Sequence, residues 1–149
     1  MLDVEVFGWA LATDAPSPAE VRRLCTASAA SAAIHDGHVA IEFVDEARIT
    51  QLNRSHRGRS EPTDVLSFPI DGAQPLAPGA PLGTPPAGNG RTPELVMREL
   101  GDVVICPAHT TDLREAIVHG MLHLLGMDHE ADEGQMLALQ RELLRQEGR

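Results

Sequence analysis

Residues 119 to 129 read His-Gly-Met-Leu-His-Leu-Leu-Gly-Met-Asp-His. A helix turns once in about 3.6 residues, so His119 and His123 stand one above the other on a single helical face. Two imidazoles placed this way can share one metal ion. Gly126 readily takes the left-handed conformation that ends a helix, and the chain can then swing back and carry His129 toward the first two histidines. Three protein nitrogens around a divalent ion, with the fourth position left to water, is the arrangement of catalytic rather than structural zinc. Asp128 and Glu130 stand close by as carboxylates able to orient the imidazoles. A histidine pair at this spacing also occurs in ordinary helices as hydrogen-bonded core residues. The third histidine, just beyond a helix-stopping glycine, is what turns the stretch toward metal chemistry.

Those histidines need a buried helix to hold them. Thr110 or Thr111 can cap one, with Asp112 and Glu115 favourably placed in its first turn. Leu113, Ile117, Met121, Leu124 and Leu125 surround the histidines with apolar side chains, so the helix is expected to be buried. The run Gly101 to Cys106, nearly all apolar and ended by Pro107, predicts a central strand. Val65 to Phe68, inside a segment bounded by Pro62 and Pro69, predicts an edge or near-edge strand. Paired antiparallel, these two would form a large hairpin beside the metal helix.

The remaining elements follow from patterning. Val4, Val6 and Trp9 mark a short first strand, and Val39 to Val44 a second, where Val39, Ile41 and Phe43 alternate with Ala40 and Glu42. Ser17 can cap a helix that begins at Pro18 and runs to about Ala33. Asp45 can cap another, with Ile49 and Leu52 buried, that stops at His56-Arg57-Gly58. A last helix, about Asp132 to Gln146, carries Met136, Leu139, Leu143 and Leu144 on one face and is expected to cover the sheet. His35 and His38 flank the turn at Asp36 and Gly37 and read as exposed turn residues. Residues 71 to 98 hold six prolines and five glycines, too few large apolar groups to build a core, and read as a long mobile loop.

The chain has 149 residues, which suits one domain spanning residues 1 to 149. Aromatic residues make up only 3% and tyrosine is absent, so aromatic platforms for stacking bases are not expected. Cys25 and Cys106 lie far apart without repeated spacing, which favours reduced thiols over a disulfide framework. The first residues are acidic where a secretory signal would be basic, and no apolar run approaches the roughly 18 residues that span a membrane. The expected location is the cytoplasm, with no membrane partner. A formal net charge of −10 argues against nucleic acid as a partner only if the charge is evenly spread. It is not, because Arg48, Arg54, Arg57 and Arg59 gather beside His56 while acidic residues crowd the C-terminal segment.

The eleven-residue stretch resembles the three-histidine signature of the bacterial YbeY family of endoribonucleases, which act in ribosomal RNA maturation. Two further segments resemble that family in the expected order. They are His56-Arg57-Gly58 followed by Pro62-Thr63-Asp64-Val65-Leu66-Ser67-Phe68-Pro69, and Gly101-Asp102-Val103-Val104-Ile105. The resemblance covers roughly residues 50 to 130. It implies a compact α+β fold with a mixed four-stranded sheet packed with helices, and one zinc ion (Zn2+) on His119, His123 and His129. It also implies an arginine important for activity at Arg57, and single-stranded RNA, ribosomal RNA in particular, as substrate. Ribosome or ribosome-assembly proteins are the implied partners. The segment 71 to 98 looks longer than the family requires.

The residues themselves are compatible with that chemistry. Zinc on three neutral imidazoles can bring a bound water's pKa from about 15.7 to roughly 7. Arg57 could hold the phosphate and stabilise the charge that builds on it. Metal-activated water and the RNA 2′-hydroxyl both remain open as nucleophile. Nickel, cobalt or copper would also accept such ligands. A zinc peptidase uses a similar helix but carries Glu directly after its first histidine, where this chain has Gly120. A noncatalytic ribosome-associated RNA-binding factor, with the metal merely stabilising the fold, is the other alternative.

Overall fold

The computed structural model describes residues 1–72, 98–128 and 134–147. The expected loop falls mostly outside them, as does His129. The described elements are the strands β1 (Leu2–Phe7), β2 (Gly37–Phe43), β3 (Val65–Pro69) and β4 (Glu99–Ile105), and the helices α1 (Pro18–Ser31), α2 (Glu46–Arg57), α3 (Leu113–Leu124) and α4 (Gln135–Glu147). Short 3-10 turns at Trp9–Leu11 and Pro107–His109 complete the set.

The four strands form one mixed sheet in the order β1-β2-β4-β3. β1 and β4 both run parallel to β2, and β3 pairs antiparallel with β4 from Val65↔Ile105 to Pro69↔Gly101. The architecture is therefore α+β, with the expected hairpin present and the proline-bounded strand at an edge. An edge tolerates Pro69, which has no N–H to give to a ladder. At the end of the hairpin where the chain leaves β3 and enters β4, Asp71 N donates to Glu99 O at 2.7 Å and Arg98 Nη1 to Gly72 O at 2.8 Å. β4 bulges against β2, placing Glu99 opposite His38 and Gly101 opposite Val39.

Each face of the sheet buries a different set. On one face Val39, Ile41, Leu100, Val103 and Ile105 pack with Val21, Leu24 and Cys25 of α1, Ile117 and Met121 of α3, and Met136 and Leu143 of α4. On the other, Val44, Leu66, Val104 and Cys106 pack under Ile49 of α2. Caps explain where helices begin. Ser17 Oγ accepts from Glu20 N at 3.2 Å, and Asp45 Oδ1 from Arg48 N at 2.8 Å. Both free cysteines are buried, and burial pushes the Cys25 thiol up to about 12. Neither is a nucleophile in this setting.

Several expectations are corrected. The cap of α3 is Asp112, whose Oδ1 accepts from Arg114 N and Glu115 N. Thr110 is occupied differently, donating to Cys106 O at 2.7 Å to close the 3-10 turn that follows β4. α4 rests on α1 and α3 rather than on the sheet, because those helices already cover that face. β1 starts at Leu2, and Trp9 lies in a 3-10 turn against the Phe43 ring. His38 is a strand residue, not part of an exposed turn.

Candidate active site

α3 lies against β4 because Gly120 lets it. A Cβ there would collide with Val103 Cγ1 and stand 3.1 Å from Val65 Cγ2. Ser67 Oγ of β3 also donates to Gly120 O at 2.7 Å, fixing the helix to the edge strand. With residue 120 turned into the sheet, its neighbours His119 and His123 face outward along one side of the helix, as their spacing predicts.

Their Nε2 atoms approach to 3.1 Å, with the rings edge-on at 76° and centroids 4.7 Å apart. On the far side of its ring, His119 Nδ1 lies 2.7 Å from Gln140 Oε1 on α4. The helix then ends in a Schellman motif: Met127 N donates to Leu122 O and Gly126 N to His123 O, both at 3.0 Å, with Gly126 at φ +96°. The glycine thus turns the chain as expected and delivers Asp128 to the site. His129, the third predicted ligand, lies outside the described residues.

A cleft of about 890 Å³ opens over the histidines, lined also by Arg57, Arg59, Thr63, Asp64, Ser67 and Asp128. Arg57 closes α2, whose C-cap Gly58 takes φ +72°, and Arg59 follows directly. Asn53, buried on α2, donates to Glu61 O at 2.8 Å and ties this arginine loop back to its helix. Asp64 precedes β3 and accepts from Val65 N at 2.8 Å. Of the predicted basic patch, Arg57 and Arg59 reach the cleft, while Arg48 pairs locally with Gln51. His56 instead packs its ring 4.6 Å from Phe68.

The opposite face of the sheet is acidic where α2 does not cover it. There His38 Nδ1 lies 2.8 Å from both Glu99 carboxylate oxygens, and Nε2 lies 2.7 Å from Glu5. Glu99 above all holds the His38 pKa above its ordinary value. Asp102 sits on the same face, its pKa raised by burial and then by Glu99. Among the described residues, Asp3, Glu5 and His38 form a group that could hold a metal ion, with ligand atoms within 4.8 Å of one another. The sequence reading missed it because the residues meet only through strand register. The two faces thus differ in charge, with Arg57 and Arg59 beside Asp64 and Asp128 at the cleft and Asp3, Glu5, Glu99 and Asp102 on the face behind it.

The family described as Endoribonuclease YbeY matches this chain over residues 16–148. The chain belongs to the YbeY endoribonuclease family. A YbeY relative from Leifsonia xyli is 41% identical over 73% of this chain and 72% of its own length. Another, from Alkalilimnicola ehrlichii, is 37% identical over 89% of this chain and 78% of its own length. A solution structure from Thermotoga maritima is similar at a TM-score of 0.49 and 21% identity, covering 97% of this chain and 88% of that one. Among the described residues of this YbeY chain, no helix is long and apolar enough to cross a membrane.

The sequence reading also missed Gln140. Its signal was available, as a polar residue one turn from Met136 and from Leu143 on the apolar stripe of α4.

Proposed function

We propose that this chain acts as a single-domain, zinc-dependent endoribonuclease that cleaves single-stranded RNA in ribosomal RNA maturation. In this reading it works in the cytoplasm beside ribosome or ribosome-assembly proteins. His119, His123 and His129 hold the ion, and Arg57 acts on the phosphate. The observation that carries the proposal is the pair of Nε2 atoms 3.1 Å apart at a cleft bordered by two arginines.

The donor set fits a metal ion. Nitrogens bound at about 2.0–2.1 Å in tetrahedral geometry stand roughly 3.3 Å apart, close to the observed separation. Imidazole donors suit zinc. When bound, the ion supplies Lewis-acid charge where negative charge builds on a phosphate under attack. Arg57 presents a planar fork of donors matched to two phosphate oxygens, and Arg59 adds a second cation along the RNA backbone. Thr63, Ser67 and the carboxylates of Asp64 and Asp128 offer partners for ribose hydroxyls.

Gly120 argues against a peptidase. Its missing Cβ would point into Val103 and Val65, so a proton-moving side chain at that position would face the core, not the cleft.

The test is cleavage of single-stranded RNA by wild type, His123→Ala and Arg57→Ala, with metal content measured on each folded protein. The expected result is zinc in wild type, loss of both zinc and cleavage in His123→Ala, and cleavage reduced about 100-fold with zinc retained in Arg57→Ala. Equal cleavage by all three would overturn the catalytic assignment.

A further inference from the structure

We propose that Gln140 is a positioning residue. In this role its side-chain carbonyl fixes the His119 tautomer and thereby makes the docking of α4 part of the metal site. The inference rests on the reading of His119 as a ligand and goes beyond it, since Gln140 touches neither ion nor substrate.

Three polar side chains are buried among the described residues: Ser28, Asn53 and Gln140. Ser28 Oγ donates to Leu24 O within its own helix, and Asn53 anchors the loop that follows its helix. Gln140 does neither. It reaches from α4 to α3 and presents Oε1 to His119 Nδ1 at 2.7 Å. It is 5% exposed on a face otherwise formed by Met136, Leu139 and Leu143, where leucine would serve packing as well. Placing an amide there has a cost unless its polar atoms are matched.

The match decides where the proton sits. An amide oxygen only accepts, so His119 must carry its hydrogen on Nδ1, and the lone pair is then on Nε2. That nitrogen is the one directed toward His123 Nε2 at 3.1 Å. Turning the amide over would present an N–H to Nδ1 and force the ring hydrogen onto Nε2, into the space between the two imidazoles. The carbonyl orientation keeps that space open to a cation. Partners of this kind orient a ligating imidazole and raise its basicity, and losing one typically costs 10–100-fold in metal affinity, by about the same mechanism in unrelated sites.

The experiment compares wild type, Gln140→Leu and Gln140→Glu. Zn2+ affinity is measured by competition with a chromophoric chelator, and the His119 tautomer by 15N NMR of the metal-free proteins. Folding is checked by circular dichroism. Wild type should show the Nδ1–H tautomer. Gln140→Leu should lose it and bind Zn2+ about 10–100-fold more weakly. Gln140→Glu, whose carboxylate also accepts from Nδ1–H, should keep the tautomer and stay within a few-fold of wild-type affinity. A purely structural role would weaken the glutamate variant as much as the leucine variant, or more, since it buries a charge.

The proposal is overturned if metal-free wild type carries the Nε2–H tautomer, a result that needs no variant to fold. It is also overturned if folded Gln140→Leu binds Zn2+ like wild type. Failure of the underlying site looks different: wild type and His123→Ala would then bind Zn2+ equally, whatever the tautomer.

Discussion

Two arrangements of histidine stand on opposite faces of one sheet, and their partners give them opposite characters. His38 has a carboxylate at each ring nitrogen, Glu99 at 2.8 Å and Glu5 at 2.7 Å, an arrangement that favours a proton on both nitrogens and raises the pKa of the ring. His119 has an amide oxygen at one nitrogen and a second imidazole at the other. Neither of these partners is a carboxylate, and an accepting amide on one side leaves the other nitrogen's lone pair to share. A histidine is made a cation or a ligand by what its two nitrogens face, and spacing along the chain is only the first step toward knowing which.

The sharpest way to break the comparison is to exchange the roles. His123→Ala should reduce RNA cleavage by more than about 100-fold, beyond the range for partners that merely orient a ligand. His38→Ala should cleave within about 2-fold of wild type. Chelation should mimic the first variant, with added Zn2+ restoring wild type but not His123→Ala. Parallel losses in the two alanine variants would mean that the acidic face belongs to the active site. That outcome would erase the distinction between the two faces.

The sequence made one of these arrangements legible and hid the other. His119 and His123 are four residues apart, so the helix repeat alone puts them together. The caps at Ser17 and Asp45, the hairpin of β3 with β4 and the stop at Gly126 were readable for the same reason, since each depends on residues near one another or on a clear apolar pattern. His38, Glu5 and Glu99 are joined only by the parallel pairing of three strands and a bulge in β4. No local rule reports such register. Gln140 meets His119 only through the docking of α4, and Thr110, a good capping residue, does not cap α3 because the preceding turn already uses it. Local signals located the candidate chemistry, while the groups that tune it came from tertiary contacts.

A smaller effect sharpens the cleft side of the comparison. Gly120→Ala should gain about 1 kcal/mol from helix propensity. It must also place a methyl into Val103 Cγ1. Valine is stiff at χ1 and this one sits in the central strand, so it cannot swing away, and overpacking of this kind costs about 1–3 kcal/mol. The clash should win. The expected result is a melting temperature lower by about 2–4 °C per kcal/mol lost, with weaker Zn2+ binding because the helix is displaced between its two histidines. A more stable variant with unchanged Zn2+ binding would show that close packing of α3 on β4 does not set the site.

The smallest expected effect belongs to the other face. Glu99, then Glu5, hold the His38 pKa above its ordinary value, so the folded state binds that proton more tightly than the unfolded chain does. The stabilisation is therefore fully present below about pH 6.5 and is lost as pH rises through the raised folded value. Glu5 is half-exposed, so solvent screening limits the contribution to about 1 kcal/mol or less. Melting curves of wild type and His38→Gln should differ by no more than about 2–4 °C near pH 6 and converge at higher pH, beyond the raised value. A difference that grows with pH would have the wrong sign for a cation held between carboxylates. It would instead indicate a neutral ring at His38, making the two arrangements alike.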